Sequence, residues 1–150
     1  MKAKNKVINS IKMNFPSLSV NESAARSMVA AFSAQADPTT TELADIKCAV
    51  SEAVTNCIVH AYPDSIGEIY ISVKILEGRM VWVEIKDKGK GIEDIELAKT
   101  PLYTGAPQDE RSGMGFTVME SFMDEMKVRS KVGKGTVVQL MKRLSHRRQE

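Results

Sequence analysis

The chain has 150 residues, of which 43% are hydrophobic and 27% charged, as is ordinary for one globular domain with its own core. A net charge of +2 is too small for a general nucleic-acid surface, and aromatic residues, at 5%, offer few platforms for stacking bases. No apolar run reaches the roughly 18 residues that span a bilayer, and no apolar signal-peptide core follows the basic N-terminus. We therefore predict a single cytoplasmic domain, residues 1–150, with no direct contact to nucleic acid or membrane.

The first half of the chain predicts a strand followed by two helices. Apolar residues alternate over 7–15, which is typical of a strand. Asn21 is suited to cap a helix to about residue 36, with Met28, Val29 and Phe32 on its buried side. Asp37 and the proline after it would begin a second, longer helix that continues to about residue 62.

The second helix carries an apolar stripe at three- and four-residue steps, which predicts one buried face. The stripe consists of Leu43, Ile46, Val50, Val54, Cys57 and Ala61. Cys48 and Cys57 would point to opposite faces of the helix, so they cannot form a disulfide. We expect both to be reduced core residues.

The second half predicts two strands, a loop, a helix and a closing hairpin. Residues 69–76 and 80–85 read as strands joined by a turn at Glu77-Gly78. The pattern weakens over 92–112, apart from a short helix near 93–98, and long loops of this kind are usually functional, so we predict a lid there. A helix at 114–123, strands at 127–131 and 136–142, and a basic frayed tail at 143–150 complete the chain.

This order of elements predicts an α/β (α+β) two-layer sandwich. Its sheet would be mixed, mainly antiparallel, and covered on one face by three helices. The other face would need solvent or a partner, because no further helices remain to cover it.

The long second helix is poor in charge where a solvated face would carry several charged residues. Between Cys48 and Ala61, Glu52 is the only formally charged side chain, and Asn56 lies beside it one turn later. An amide oxygen suits Mg²⁺, and a carboxylate can take the proton of an attacking hydroxyl, so the pair fits phosphoryl transfer. A buried Glu–Asn pair that ties the helix to the sheet explains the spacing equally well. His60 is more simply interpreted as a packed core histidine.

Two glycine clusters follow. Asp87 stands at a strand end, where it could accept a hydrogen bond from the adenine amine, and Gly89 and Gly91 would allow close backbone approach. Taken alone, this pattern fits any tight turn after a strand.

The second cluster is Ser112-Gly113-Met114-Gly115, just before a predicted helix whose first amides would form an anion site. Arg111 could reach a terminal phosphate. A plain hinge that closes the lid is the alternative. The chain contains neither a Walker A motif nor a dinucleotide-binding glycine motif after its first strand.

Together these motifs resemble those of the GHKL ATPase family, which includes histidine kinases. Glu52-x-x-x-Asn56-x-x-x-His60-Ala61 resembles the N box, Asp87-x-Gly89-x-Gly91 the G1 box and Gly113-x-Gly115 the G2 box. Thr136 is similar to the late threonine that supports the adenine-binding aspartate. The motifs follow one another in the family's order, and their combination is specific although each part is not.

Within that family, three segments are similar to the anti-sigma serine kinases of the sporulation, sigma F type. The segments are Asn21–Arg26, Ser51–Asn56 and Glu110–Phe116. The resemblance implies a homodimer, paired through its first strand and helix, that uses ATP and Mg²⁺. It also implies that the protein inhibits an RNA polymerase sigma factor and phosphorylates a serine of a STAS-type anti-anti-sigma protein.

The resemblance assigns a role to each matching residue. Glu52 would be the general base, Asn56 the Mg²⁺ ligand, and Arg26 part of the partner-docking surface. Asp87 would bind adenine and Arg111 would approach the γ-phosphate, while the role of His60 stays open. The ATP-binding residues that it implies are Asn56, Asp87, Gly89, Gly91, Arg111, Ser112, Gly113, Met114, Gly115 and Thr136.

Three other functions were weighed against this one. A sensor histidine kinase is disfavoured, because 150 residues leave no room for a helical hairpin with the phosphoacceptor histidine. A general-stress-type anti-sigma serine kinase with a different sigma partner would share the same chemistry. A nucleotide-gated sigma-binding module would keep the nucleotide site but transfer no phosphate.

Overall fold

A five-stranded sheet with helices packed on one face forms the domain, in a computed structural model that describes residues 5–100 and 115–145. The strands are β1 (Val7–Pro16), β2 (Glu68–Leu76), β3 (Met80–Asp87), β4 (Glu125–Lys131) and β5 (Gly135–Arg143). The helices are α1 (Asn21–Ser33), α2 (Thr40–Asn56), α3 (Ile95–Ala98) and α4 (Gly115–Phe122). The predicted two-layer sandwich is confirmed.

The strands lie in the order β1-β2-β3-β5-β4, and every neighbouring pair among them is antiparallel. The sheet of the described strands is therefore antiparallel rather than mixed. The reason lies in the connections. The α1–α2 pair returns the chain to the end of the sheet where β1 finished, and β5 separates β3 from β4, which run in the same direction.

Helix α1 begins at the predicted residue but without the predicted cap. Its N-cap is Val20, whose side chain cannot cap, and the Asn21 side-chain amide instead donates to the Pro16 carbonyl at 3.0 Å. Val29 is fully buried, whereas Met28 is 47% exposed, so its predicted burial is wrong. Ala25 and Val29 lie one turn apart on the buried face, and Met28 is rotated away from it.

Helix α2 begins later than predicted, after Thr39 rather than at Asp37. The Thr39 hydroxyl accepts from the Glu42 amide at 3.0 Å, and the Glu42 carboxylate accepts from the Thr39 amide at 2.8 Å. This reciprocal capping box satisfies two backbone donors that no intrahelical bond could satisfy. Glu42 also accepts from the Ser145 amide at 2.7 Å, which ties the end of the last strand to the start of the helix.

The buried stripe of α2 is confirmed at Ile46, Val50 and Val54, which are fully buried. Both cysteines are free, as predicted, but only Cys57 is buried. Cys48 is exposed because it lies on the opposite face of α2 from the sheet, so its assignment to the core is wrong. Beyond Asn56 the helix continues as a π-helical turn, Cys57–Ala61, a feature that often accompanies functional sites.

The core fills the space between the helices and the inward faces of β2, β3 and β5. Inward-facing residues such as Ile71, Val83 and Leu140 have almost no exposed surface. The outward face holds a smaller cluster of Leu76, Met80, Trp82 and Met141. Within the described ranges, no helix has the length and apolarity needed to cross a bilayer.

The end of the chain is more ordered than predicted over the residues that the structure describes. Strand β5 extends through Arg143, and Leu144 is only 3% exposed. The remainder of the predicted tail, 146–150, lies outside the described residues.

Candidate functional site

A cavity of about 380 Å³ opens between the C-terminal half of α2 and the ends of β3 and β5. Its apolar wall includes Ala53, Ile85, Phe116 and Val138. Such a slot, apolar with a few directed polar groups, suits a flat aromatic ligand.

Asp87, the last residue of β3, lies in the cavity wall and is only 5% exposed. Its Oδ1 accepts from the Gly89 amide at 2.9 Å and from the Thr136 amide at 3.2 Å. Its Oδ2 lies 3.5 Å from Sγ of Cys57, whose thiol can donate to it. Burial raises the pKa of the Asp87 carboxyl, and these three hydrogen bonds, although each lowers it, offset the rise only in part.

Thr136 therefore meets Asp87 as the resemblance implied, but through its backbone amide. Its hydroxyl lies 2.7 Å from the Ser130 hydroxyl, and either can donate to the other. Ser130 in turn accepts from the Ile92 amide at 2.7 Å. A chain of hydrogen bonds through Thr136 and Ser130 thus links Asp87 to Ile92, the first residue after the G1 motif.

Gly89 and Gly91 let the G1 loop lie against protein backbone. A side chain at Gly89 would collide with the Ala61 carbonyl, and one at Gly91 would collide with the Lys131 carbonyl. Gly91 also has φ +79°, a conformation that other residues rarely adopt. The close approach predicted for these glycines is therefore made to the protein itself, and it holds the loop between the π-helical turn and the β4–β5 turn.

Asn56, which lines the cavity, lies against Gly115 at the start of α4. A Cβ at Gly115 would lie 3.0 Å from Asn56 Oδ1 and 3.1 Å from its Nδ2, so glycine leaves the amide accessible at the start of α4. In the described ranges, no group of three His, Cys, Asp or Glu side chains could hold a metal alone. The residues present fit a Mg²⁺ ion that takes one amide oxygen from the protein and its other ligands from phosphates and water.

Glu52 and Arg26 lie beside the cavity rather than in its described wall. Glu52 is half-buried on α2, one turn before Asn56. Arg26 on α1 donates to Oγ of Ser51 at 3.4 Å and pairs with Glu22 at 3.5 Å. The structure therefore brings Arg26 to the residue that precedes Glu52.

Several predicted site residues are not placed. Arg111, Ser112, Gly113 and Met114 lie outside the described residues, as does the lid beyond residue 100. The start of the predicted lid is described, and there Asp94 caps the short helix α3 by accepting from the Leu97 amide at 3.0 Å.

Two site residues were missed from the sequence. Cys57 was interpreted only as core, yet it lines the cavity against Asp87. The Tyr62 hydroxyl accepts from the Lys88 amide at 2.7 Å and donates to the Glu68 carbonyl at 2.7 Å, which fixes the backbone after Asp87. For Cys57 the signal was present, because it follows Asn56 directly in the N box. His60 also lines the cavity.

Residues 15–142 match the family model described as the histidine kinase-like ATPase domain. The anti-sigma F factor of Thermoanaerobacter sp. (strain X514) is 57% identical over 134 residues, which cover 89% of this chain and 93% of that protein. The chain belongs to the anti-sigma F factor family of histidine kinase-like ATPases. Another relative, the anti-sigma F factor of Bacillus subtilis (strain 168), is 51% identical over 138 residues, covering 91% of this chain and 94% of that protein.

Solved structures agree with the fold of this family. The RsbU and RsbW domains of a Mycobacterium tuberculosis protein superpose with a TM-score of 0.68 at 19% identity, covering 93% of this chain and 33% of that one. A blue-light activated histidine kinase of Erythrobacter litoralis gives a TM-score of 0.55 at 20% identity, covering 79% of this chain and 40% of that one. At these identities the likeness concerns the fold alone.

Proposed function

We propose that this chain is an ATP- and Mg²⁺-dependent anti-sigma factor of the sigma F type that also acts as a protein serine kinase. It binds and inhibits an RNA polymerase sigma factor, and it phosphorylates a serine of a STAS-type anti-anti-sigma protein. The observation that carries the proposal is one cavity whose wall contains both the Asp87 carboxylate, held by two backbone amides, and the Asn56 side chain. The anti-sigma F factors to which the chain is similar support the choice of partner.

Asp87 would recognise the base. The exocyclic amine of adenine donates, and Oδ2 is the carboxylate oxygen that takes no backbone amide, so it is the acceptor available to the base. The apolar wall around it would exclude water from the ring. A 6-oxo purine would instead place an acceptor against the carboxylate, which is unfavourable.

Asn56 and the start of α4 would hold the phosphates. Asn56 would supply an amide oxygen to Mg²⁺, and the first amides of α4 would offer hydrogen-bond donors to anionic groups. Bound Mg²⁺ would neutralise charge on the transferred phosphoryl group. Arg111 and the residues 112–114 would complete this end of the site.

Glu52 would act on the partner serine. The serine hydroxyl attacks the γ-phosphorus, the bond to the β-phosphate oxygen breaks, and the hydroxyl proton passes to the Glu52 carboxylate, leaving ADP and phosphoserine. Arg26, which hydrogen-bonds Ser51, would place the docked partner next to this carboxylate. We assign the activity to the cytoplasm, where sigma factors act, and to a homodimer paired through β1 and α1.

A phosphotransfer assay tests the proposal. The protein is mixed with γ-labelled ATP, Mg²⁺ and a candidate STAS-type anti-anti-sigma domain, and labelled phosphoserine is sought by mass spectrometry. Glu52→Gln should keep ATP binding and lose transfer, whereas Glu77→Gln, on an exposed turn, should transfer at the normal rate. Normal transfer by Glu52→Gln would refute the general-base assignment.

Absence of transfer by the wild-type protein, with retained ATP and sigma binding, would favour the nucleotide-gated binding module. Sigma specificity is tested separately by co-purification with a sigma F-type and a general-stress-type sigma factor. Arg26→Ala should weaken capture of the sigma factor and leave ATP affinity unchanged. Static light scattering measures the expected mass of a dimer.

A further inference from the structure

Cys57 lies in the wall of the cavity, but the proposed phosphoryl transfer gives it no role. It begins the π-helical turn after α2, it lines the cavity, and it is only 4% exposed. Its sulfur lies 3.5 Å from Asp87 Oδ2, a distance at which a thiol hydrogen bonds to oxygen. An ionised carboxylate has only acceptors, so in this pair the thiol is the donor.

The two oxygens of Asp87 have different surroundings. Oδ1 accepts two backbone amides, from Gly89 and Thr136. Among the residues that the structure describes, the donor to Oδ2 is the Cys57 thiol. The backbone bonds hold Oδ1 in place, and the thiol is the described group that contacts Oδ2.

We propose that Cys57 is a positioning residue that aims Oδ2 of Asp87 at the exocyclic amine of adenine and so contributes to the preference for a 6-aminopurine. The inference rests on the proposed role of Asp87 in nucleotide binding. A thiol is a weak donor, and a carboxylate oxygen accepts more than one hydrogen bond. Cys57 therefore restrains Oδ2 without withdrawing it from the nucleotide.

A purely structural role for Cys57 predicts a different result. Removing a packing contact would weaken the binding of every nucleotide that fills the cavity to a similar degree. Removing a positioning contact weakens only the ligands that use Oδ2. Comparing ATP with purine riboside triphosphate separates the two roles, since the second nucleotide lacks the 6-amino group and is otherwise the same.

The test is a thermodynamic cycle that combines one protein substitution with one change of nucleotide. The affinities are measured by calorimetry on the full chain with Mg²⁺. Cys57→Ala should lower ATP affinity roughly three- to tenfold and change the affinity for purine riboside triphosphate less than about twofold. Cys57→Ser, which restores a donor, should recover most of the ATP affinity. Cys48→Ala, at the exposed cysteine of the same helix, is the matched control and should behave as wild type.

Each outcome decides the inference. It is overturned if Cys57→Ala binds both nucleotides as wild type does, or if it weakens both equally. Circular dichroism establishes whether each variant is folded. If Cys57→Ala does not fold, Cys57→Ser provides the test. A folded Cys57→Ser variant that loses the preference for ATP over purine riboside triphosphate also overturns the inference. Equal binding of the two nucleotides by wild type would instead refute the adenine assignment of Asp87, and the inference with it.

Discussion

Lys142 on β5 points inward, toward the helix layer, and donates to the Asp45 carboxylate on α2 at 3.1 Å. The same ammonium donates to the Phe122 carbonyl at the end of α4 at 2.7 Å. One cation thus joins the sheet to both helices that flank the cavity, and it satisfies a carbonyl that the helix end leaves without an intrahelical partner. This contact ties the C-terminal end of α4 to β5.

We expect Lys142→Met to lower the free energy of unfolding by about 1–3 kcal/mol, because the Asp45 carboxylate and the Phe122 carbonyl lose a largely buried charged donor. Urea unfolding, followed by circular dichroism, measures the change. Lys127→Met, on the exposed side of β4, is the control and should alter stability little. Equal stability of the two variants would contradict the role of Lys142.

Glu42 should make stability depend on pH. Burial raises the pKa of its carboxyl, but hydrogen bonds from Thr39 and Ser145 outweigh that effect, so the pKa is lowered. A lowered folded-state pKa means that the contribution is present above the unfolded-state pKa and is lost as pH falls through the folded-state pKa. Glu42→Gln should therefore have a lower Tm than wild type at pH 7, and the difference should shrink at acidic pH.

Thermal unfolding of both proteins across that pH range provides the measurement. Glu77→Gln, at the exposed hairpin turn, should show no comparable difference at either end of the range. A Tm difference for Glu42→Gln that stays constant with pH would mean that capping by Glu42 does not depend on its charge.

Asp87→Asn should separate nucleotide binding from stability. The asparagine side chain presents to the adenine amine either an amide nitrogen, which cannot accept, or a neutral amide oxygen, which is a weaker acceptor than a carboxylate. We therefore expect the variant to lose ATP binding, as measured by calorimetry. The raised pKa of Asp87 has the opposite consequence for folding, because the ionised form is disfavoured in the folded state. Above that pKa the charge lowers stability, so Tm should stay the same or rise at neutral pH. Retained ATP affinity would refute the assignment.

Gly115→Ala tests the space beside Asn56. The added Cβ would lie 3.0 Å from Asn56 Oδ1, so the amide or the start of α4 must shift. Affinity for ATP with Mg²⁺ should fall roughly tenfold through the displaced amide. The affinity is measured with and without Mg²⁺. An equal loss in both conditions would contradict a Mg²⁺ role for Asn56.

The pattern of apolar residues predicted the bounds of most helices and strands to within a few residues. It failed where a local preference, such as capping by one side chain, competed with tertiary packing. Asn21 is a good capping residue, yet its side chain bonds to Pro16 instead. Met28 is apolar, yet small alanines take the buried face against α2. Proline is favoured in a first turn and so predicts a helix start at Asp37, whereas the observed start of α2 is set by the Thr39–Glu42 capping box.

The candidate site, too, was predictable from the sequence only in part. Periodicity and glycine spacing predicted the order of the elements, the buried stripe of α2 and the motif residues Asn56, Asp87 and Gly115, because they are properties of neighbouring positions along the chain. The three-dimensional packing was needed to show that β5 separates β3 from β4, and that Cys57, thirty residues away in the sequence, lies 3.5 Å from the second oxygen of Asp87. A helical pattern shows which face is buried, but the side chain that meets that face depends on which distant strand packs against it.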